Sequence, residues 1–153
     1  PNAHLLLVGF DPGDSYSRSV KSLIAELGLG SVIHVLGART DIAAILSQSA
    51  VGVLSSKSEG LPVALLEYGI CGLPVVCTAV GDCPTVLGHG SFGRVVPPAR
   101  PRLLAQALIQ LLQDPGERQE LGAAFRSHVD EKYSAQVTVR ILADVYRKVL
   151  GDR

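Results

Sequence analysis

The sequence contains no methionine at any of its 153 positions, and its first residue is Pro1. Because translation begins at methionine, we expect the chain to be a piece of a longer protein. A long apolar run is also missing: the longest uncharged stretch, 42–56, has 15 residues and includes Gln48 and four serines. A membrane-spanning helix needs about 20 apolar residues. With no signal peptide at its start, the sequence predicts a cytoplasmic protein without a membrane span.

The chain has no surplus of either charge, since 14 basic residues balance 14 acidic ones. Nucleic acids and anionic membranes attract proteins through a basic surplus, so we expect no nucleic-acid partner. Charged residues make up 18% of the chain and hydrophobic residues 47%, which excludes general disorder. Any anion that the protein binds must therefore be held by a local arrangement of groups.

Cysteine and histidine are scarce and lack metal-ligand spacing. Cys71, Cys77 and Cys83 form no Cys-x-x-Cys pair, and the four histidines fall at unrelated positions. Zinc sites require such ligands at characteristic spacings. We therefore predict reduced, buried thiols and no metal site.

Apolar runs of strand length alternate with segments of helical periodicity. The first run, 4–9, is nearly continuous, which is typical of strands buried on both faces of a parallel sheet. Predicted strands lie at 4–9, 32–36, 50–55, 74–78 and 93–96, and the predicted helices among them at 15–29, 41–48 and 62–71. This alternation predicts an α/β fold with a doubly wound, Rossmann-like parallel sheet and flanking helices, formed by residues 1–153 as a single domain.

The last third of the sequence is predicted to be helical. Asp114, Pro115 and Glu117 have the pattern of a helix start, with an acidic cap, proline at the first position and glutamate three residues after the cap. Ser134 is expected to cap a last helix whose apolar positions face inward. These positions are Val137, Ile141, Leu142, Val145 and Val149.

The helix predicted from Pro62 to Cys71 carries a single charge, at Glu67. It is apolar on all sides, a pattern that predicts a buried helix. An unpaired buried carboxylate costs several kcal/mol or takes up a proton. We therefore expect Glu67 to meet a partner inside the domain or a ligand in a cleft.

The loop before this helix offers a second carboxylate and a set of backbone donors. Glu59 lies in the loop, and Gly60 allows close approach of the backbone to another group. The amides at the helix start favour an anion, because they and the helix dipole point toward it. These are the amides of Leu61, Val63 and Ala64. A phosphate at the helix start, with sugar hydroxyls on the two carboxylates, satisfies this arrangement.

These residues resemble the signature of a known family. Glu59-x7-Glu67, followed by Gly72-x-Pro74-Val75-Val76, looks like the motif of the retaining GT-B glycosyltransferases, family 4 in particular (glycosyl transferases group 1). The resemblance extends over nearly the whole chain. It includes similar strand ends at 5–9, 35–37 and 93–97 and similar closing helices at 121–134.

The resemblance implies a role for each matching residue. Glu59 would touch the transferred sugar as the catalytic residue, and Glu67 would hold the ribose hydroxyls. Sugar and diphosphate would contact the backbone of Gly60, Leu61, Val63 and Ala64. The base would lie by Val35, Leu36 and Gly37. Arg39 follows this strand end and is a candidate contact for base or phosphate; the alternatives are an ordinary loop arginine or a partner for Asp41. No metal or other cofactor is expected in this fold type.

The resemblance also implies that the chain is the C-terminal, donor-binding half of a two-domain enzyme. The parent would transfer a glycosyl unit from a nucleoside-diphosphate sugar to a hydroxyl acceptor, in polysaccharide or glycolipid synthesis. Its missing N-terminal domain would bind the glycan or lipid-linked acceptor and associate peripherally with the inner face of the membrane. A strand, a helix and an Arg/Lys pair that the family places upstream are absent, so we predict that the isolated chain is inactive.

Two other functions remain open. One is a non-catalytic nucleotide-binding module of the same fold. The other is a GT-B sugar-nucleotide epimerase, which needs additional acid and base groups that the sequence does not offer as a suitable pair.

Overall fold

The computed structural model of the chain describes residues 3–151. The backbone divides after Ile42 into two compact units. Each unit contains its own parallel sheet, of two strands in the first and three in the second. The predicted α/β class with parallel strands is confirmed.

The first unit contains two strands and the helix that connects them. β1 (Leu5–Val8) and β2 (Ile33–Gly37) pair in parallel, with α1 (Ser15–Glu26) between them in the sequence. The Asp14 carboxylate caps α1 and accepts a hydrogen bond from the Ser17 N–H at 2.8 Å. This βαβ arrangement places the end of β2 and the start of α1 at the same edge of the small sheet.

The strands of the first unit are exposed, which corrects the prediction that segment 4–9 is buried on both faces. Leu5 and Leu6 are each 41% exposed. Helix α1, which is described in full, contains no buried residue. Two strands and one helix are too small to enclose a core of their own.

The second unit is built on a parallel sheet with the strand order β3-β4-β5. Its strands are β3 (Gly52–Leu54), β4 (Val75–Thr78) and β5 (Arg94–Val96). Helix α2 (Ile42–Ser47) begins at the boundary between the units. The helices that follow are α3 (Val63–Ile70), α4 (Cys83–Val86), α5 (Pro101–Gln113), α6 (Pro115–Tyr133) and α7 (Ala135–Leu150), with a 3-10 turn at Gly88–Gly90.

The central strand β4 is buried on both faces, as a continuous apolar run predicts. All four of its residues are buried. Val75 and Cys77 pack into one cluster with side chains of α3, α4 and α6. Val76, between them, packs on the opposite face against Leu111 of α5. The helices therefore cover both faces of the sheet and fix the loops at its carboxyl edge.

The predicted start of α6 is confirmed. The Asp114 carboxylate accepts a hydrogen bond from the Glu117 N–H at 2.8 Å, and the helix begins at Pro115. Within residues 3–151, no helix combines the length and the hydropathy that spanning a bilayer requires.

Ser134 lies at the N-cap position of α7, as predicted, but within residues 3–151 its hydroxyl makes no capping hydrogen bond. The prediction that the apolar positions of α7 face inward is wrong. The helix packs against α6. Its apolar side chains are nevertheless exposed, by 51–76% at Ile141, Leu142, Val145 and Val149. Helical spacing identifies an apolar face, but it does not supply the surface that would cover it.

Candidate functional site

Glu59 lies in the loop between β3 and α3, and its carboxylate is held from within that loop. The residue is half-buried. The Ser56 hydroxyl donates a hydrogen bond to Glu59 Oε1 at 2.6 Å. The loop after β4 also contacts this segment, because the Asp82 N–H donates to the Gly60 carbonyl at 3.1 Å. Glu59 is therefore fixed through both its side chain and its backbone.

Gly81 brings the loop after β4 against the backbone of Glu59. A Cβ atom at this position would lie 2.1 Å from the Glu59 carbonyl oxygen and 2.8 Å from the Gly60 carbonyl oxygen. Gly81 also has φ +49°, a backbone conformation that residues other than glycine adopt at an energetic cost. Glycine at this position is thus required both by the close approach and by the backbone conformation.

The start of α3 is open to a ligand. Pro62 precedes the helix with an extended ψ of 96°, so the helix begins at Val63, one residue later than predicted. The Leu65 N–H donates to the Pro62 carbonyl at 3.0 Å. Among residues 3–151, no side chain caps this helix and no group accepts from the N–H of Val63 or Ala64. Such uncapped donors at a helix start favour an anion.

Glu67 is exposed, which corrects the prediction that it lies inside a buried helix. Val63 and Ile70 share its face at helical spacing and are 62% and 54% exposed. The opposite face, with Leu65, is buried against α6. Because α3 is apolar on all sides, it was predicted to be buried on all sides. The second unit covers only one side of this helix.

No guanidinium neutralises Glu67 among the described residues. The carboxylate makes no ion pair within residues 3–151. Burial raises the pKa of the adjacent Tyr68, and the Glu67 charge raises it further. The Tyr68 hydroxyl donates to the Val53 carbonyl at 3.3 Å, which anchors α3 to β3. Glu67 is thus an unpaired carboxylate on a fixed helix.

In the first unit, Val35, Leu36 and Gly37 end strand β2, as predicted. Val35 and Leu36 are 44% and 39% exposed. The Arg39 guanidinium forms a two-point pair with Asp41, with Nε–Oδ1 at 2.8 Å and Nη2–Oδ2 at 2.7 Å. This hydrogen bonding raises the pKa of Arg39 and lowers the pKa of Asp41. Among the interpretations that the sequence left open for Arg39, the structure shows the pair with Asp41.

Two of the three cysteines are buried beside the Glu59 loop. Cys77 lies on β4 and Cys83 begins α4; both are fully buried, while Cys71 is half-buried. Burial, with a contribution from the neighbouring Cys83, raises the pKa of Cys77 to about 12. Burial also raises the pKa of Cys83, and the Glu59 charge adds to this. Both buried thiols are therefore protonated at neutral pH. Within residues 3–151, no three metal-ligating side chains cluster.

Two residues that hold Glu59 in place, Ser56 and Thr78, were not predicted from the sequence. Thr78 ends β4 and is 5% exposed, and its hydroxyl donates to the Ser56 carbonyl at 2.6 Å. One feature of the sequence indicates this residue: Thr78 is a hydroxyl residue at the carboxyl end of an apolar strand, where ligands bind in such sheets. Ser56, three positions before Glu59, is a residue type that forms short local hydrogen bonds.

A family model matches this site and most of the chain. The model described as glycosyl transferases group 1 covers residues 1–128, including the segment from Glu59 to Glu67. The chain belongs to the glycosyl transferases group 1 family. A curated relative is N-acetyl-alpha-D-glucosaminyl L-malate synthase from Bacillus anthracis, 30% identical over 151 residues. The match covers 99% of this chain and 39% of that protein.

Solved structures of the GT-B type share the fold of this glycosyl transferases group 1 chain. Sucrose-phosphate synthase from Thermosynechococcus elongatus has a TM-score of 0.89 at 28% identity and covers 98% of this chain and 39% of that one. Anabaena Alr3699/HepE in complex with UDP has a TM-score of 0.91 at 20% identity. This match covers 97% of this chain and 42% of the Anabaena chain. The predicted Rossmann-like GT-B fold is confirmed.

Proposed function

We propose that this chain is the donor-binding part of a retaining, family 4 glycosyltransferase. The parent enzyme transfers a glycosyl unit from a nucleoside-diphosphate sugar to a hydroxyl acceptor. One observation carries the proposal: a fixed carboxylate, Glu59, precedes an uncapped helix start, and an unpaired carboxylate, Glu67, follows on the same helix. This arrangement offers groups for the sugar, the diphosphate and the ribose of one donor molecule.

The proposed chemistry follows from charge. As the bond from the sugar to the diphosphate breaks, positive charge develops at the sugar ring, and the Glu59 carboxylate stabilises it. The departing diphosphate gains negative charge, which the N–H groups of Val63 and Ala64 and the helix dipole stabilise. Gly60 and Leu61 provide backbone contacts to sugar and diphosphate. With these groups present, no metal ion is needed.

Glu67 accepts hydrogen bonds from the two ribose hydroxyls in this proposal. A carboxylate offers two oxygens to two neighbouring donors. Its exposed position is suited to a ligand that arrives from solvent. Val35, Leu36 and Gly37 contact the base through the exposed end of β2. Arg39 reaches base or phosphate if the ligand displaces Asp41, since that pair is exposed.

The remaining parts of the enzyme are proposed to lie outside this chain. The exposed strands of the first unit and the exposed face of α7 are apolar surfaces suited to further protein. The chain spans 39% of the length of its Bacillus anthracis relative. We propose that an N-terminal domain binds a glycan or lipid-linked acceptor in the cytoplasm or at the inner membrane face. In this proposal, residues 1–153 form a single domain together with an upstream strand and helix, which also carry a basic pair for the diphosphate. Without these parts the chain is inactive.

Product analysis of the full-length protein tests this function. Incubation with UDP-glucose or GDP-mannose and a hydroxyl acceptor should release the nucleoside diphosphate and give a glycosylated acceptor with unchanged anomeric configuration, as measured by NMR. An isomerised nucleotide sugar would instead identify an epimerase. Tight nucleotide binding without consumption of a donor would identify a non-catalytic module. Either result would contradict the proposed transfer.

A further inference from the structure

We propose that Ser56 and Thr78 are positioning residues, which act on the donor sugar only through Glu59. The inference rests on the proposed function and deepens it, because it explains how the carboxylate is kept in one orientation. A series of hydrogen bonds runs from the Glu59 side chain, through Ser56 in the loop after β3, to Thr78 at the buried end of β4.

The first step of this series is the Ser56 hydroxyl. It has one proton to donate, and it gives that proton to Glu59 Oε1 at 2.6 Å. Within residues 3–151, this is the one side-chain hydrogen bond that Glu59 makes. The carboxylate therefore has one oxygen fixed by Ser56, while the other is available to a sugar.

The second step is the Thr78 hydroxyl. It donates to the Ser56 carbonyl at 2.6 Å and lies 3.4 Å from the Leu54 carbonyl. Because Thr78 is the last residue of the fully buried β4, its position is set by packing on both faces of the sheet. Thr78 thus ties the segment that carries Ser56 to the fully buried strand of the second unit.

The loop after β4 fixes the backbone of Glu59 from the other side. The Asp82 N–H holds the Gly60 carbonyl, and Gly81 approaches the Glu59 carbonyl too closely for any side chain. With the backbone fixed in this way, the remaining freedom of Glu59 is rotation of its side chain. Ser56 removes that freedom, which preorganises the carboxylate for charge that develops in the transition state.

The test compares matched variants of the full-length protein. Ser56→Ala removes the hydroxyl and Ser56→Thr keeps it; Thr78→Val removes the hydroxyl at nearly constant shape and Thr78→Ser keeps it. We expect Ser56→Ala and Thr78→Val to lower kcat for UDP-glucose or GDP-mannose about 10-fold, the loss equivalent to one hydrogen bond. The affinity for free UDP or GDP should change less than about twofold, because neither carries the glycosyl unit that Glu59 is proposed to touch. Ser56→Thr and Thr78→Ser should restore most of the rate.

A double-mutant cycle separates positioning from a general structural role. In a Glu59→Gln background measured by single turnover, Ser56→Ala should cause no further loss, because its effect passes through the carboxylate. An equal loss in both backgrounds, or a parallel loss of UDP or GDP affinity, would overturn the inference. Wild-type activity in both Ser56→Ala and Thr78→Val would overturn it while leaving the proposed function intact. A wild-type protein that consumes neither donor would overturn the proposed function and this inference with it.

Discussion

Glu59→Gln should reduce glycosyl transfer by the full-length protein about 100-fold or more while leaving its affinity for free nucleoside diphosphate nearly unchanged. Glutamine keeps the shape of the side chain and still accepts from Ser56, but it removes the negative charge that stabilises the developing positive charge at the sugar. The measurement is steady-state kinetics with UDP-glucose and GDP-mannose, together with calorimetric titration of UDP and GDP.

The matched control for this variant is Glu120→Gln. Glu120 is an exposed residue of α6, and its substitution removes the same charge from the second unit at a distance from the loop in sequence. We expect the control to retain wild-type kcat. A Glu59→Gln enzyme with wild-type kcat would remove Glu59 from the catalytic role, whatever the behaviour of the control.

Gly122→Ala should lower the free energy of unfolding by about 2 kcal/mol. Gly122 lies inside α6, where a Cβ atom would be 2.1 Å from the Gly72 carbonyl oxygen and 3.4 Å from Pro74 Cδ. The nearest atoms belong to the backbone that follows α3, so relief requires α3 and α6 to move apart. The better helix propensity of alanine offsets about 1 kcal/mol of the overpacking at most.

Gly30→Ala is the control for this prediction. A Cβ atom at Gly30 meets no heavy atom within 4 Å, and the residue does not need a positive φ. Its substitution should change the free energy of unfolding by less than about 0.5 kcal/mol. Urea denaturation of the full-length variants measures both. Equal stability of Gly122→Ala and Gly30→Ala would show that the contact between α6 and the end of α3 is not tight.

Local patterns predicted the fold well where the deciding interactions are close in sequence. The cap at Asp114 depends on Glu117, three residues away, and the structure has this hydrogen bond. The continuous apolar run 74–78 predicted a strand buried on both faces, and β4 is such a strand. Both results follow from the short range of capping and from the two-residue period of strands.

Burial was predicted less well, because it depends on which surfaces surround an element. Segment 4–9 has the same apolar character as β4, yet β1 is exposed since the first unit has no second layer over it. Glu67 was predicted to be buried for the same reason and is exposed. An apolar segment is more stable when it is buried, but the helices and strands that surround it determine whether it is buried.

Glu59 and Glu67 were singled out from the sequence as candidate site residues, whereas the residues that hydrogen-bond around Glu59 were not. Glu59 and Glu67 stand out because carboxylates in an apolar segment demand an explanation. The Thr78 hydroxyl donates to the carbonyl of Ser56, 22 positions earlier, a separation at which sequence spacing carries no distance information. The close approach of Gly81 to Glu59 is hidden from the sequence for the same reason.

The proposed role of Glu67, to hold the ribose hydroxyls of the donor, is measured by the binding of nucleoside diphosphates. UDP, GDP and ADP would be titrated by calorimetry into the full-length protein, its Glu67→Ala variant and a Glu120→Ala control. The tightest of the three ligands would then be compared with its 2′,3′-dideoxy analogue, which lacks the ribose hydroxyls.

We expect Glu67→Ala to weaken binding of the preferred diphosphate about 10- to 100-fold, because hydrogen bonds to a charged group are lost. The dideoxy analogue should bind the wild type as weakly as the diphosphate binds the variant, and the variant should no longer distinguish the two ligands. If Glu67→Ala binds the diphosphate with unchanged affinity and still prefers it to the dideoxy analogue, Glu67 does not hold the ribose hydroxyls.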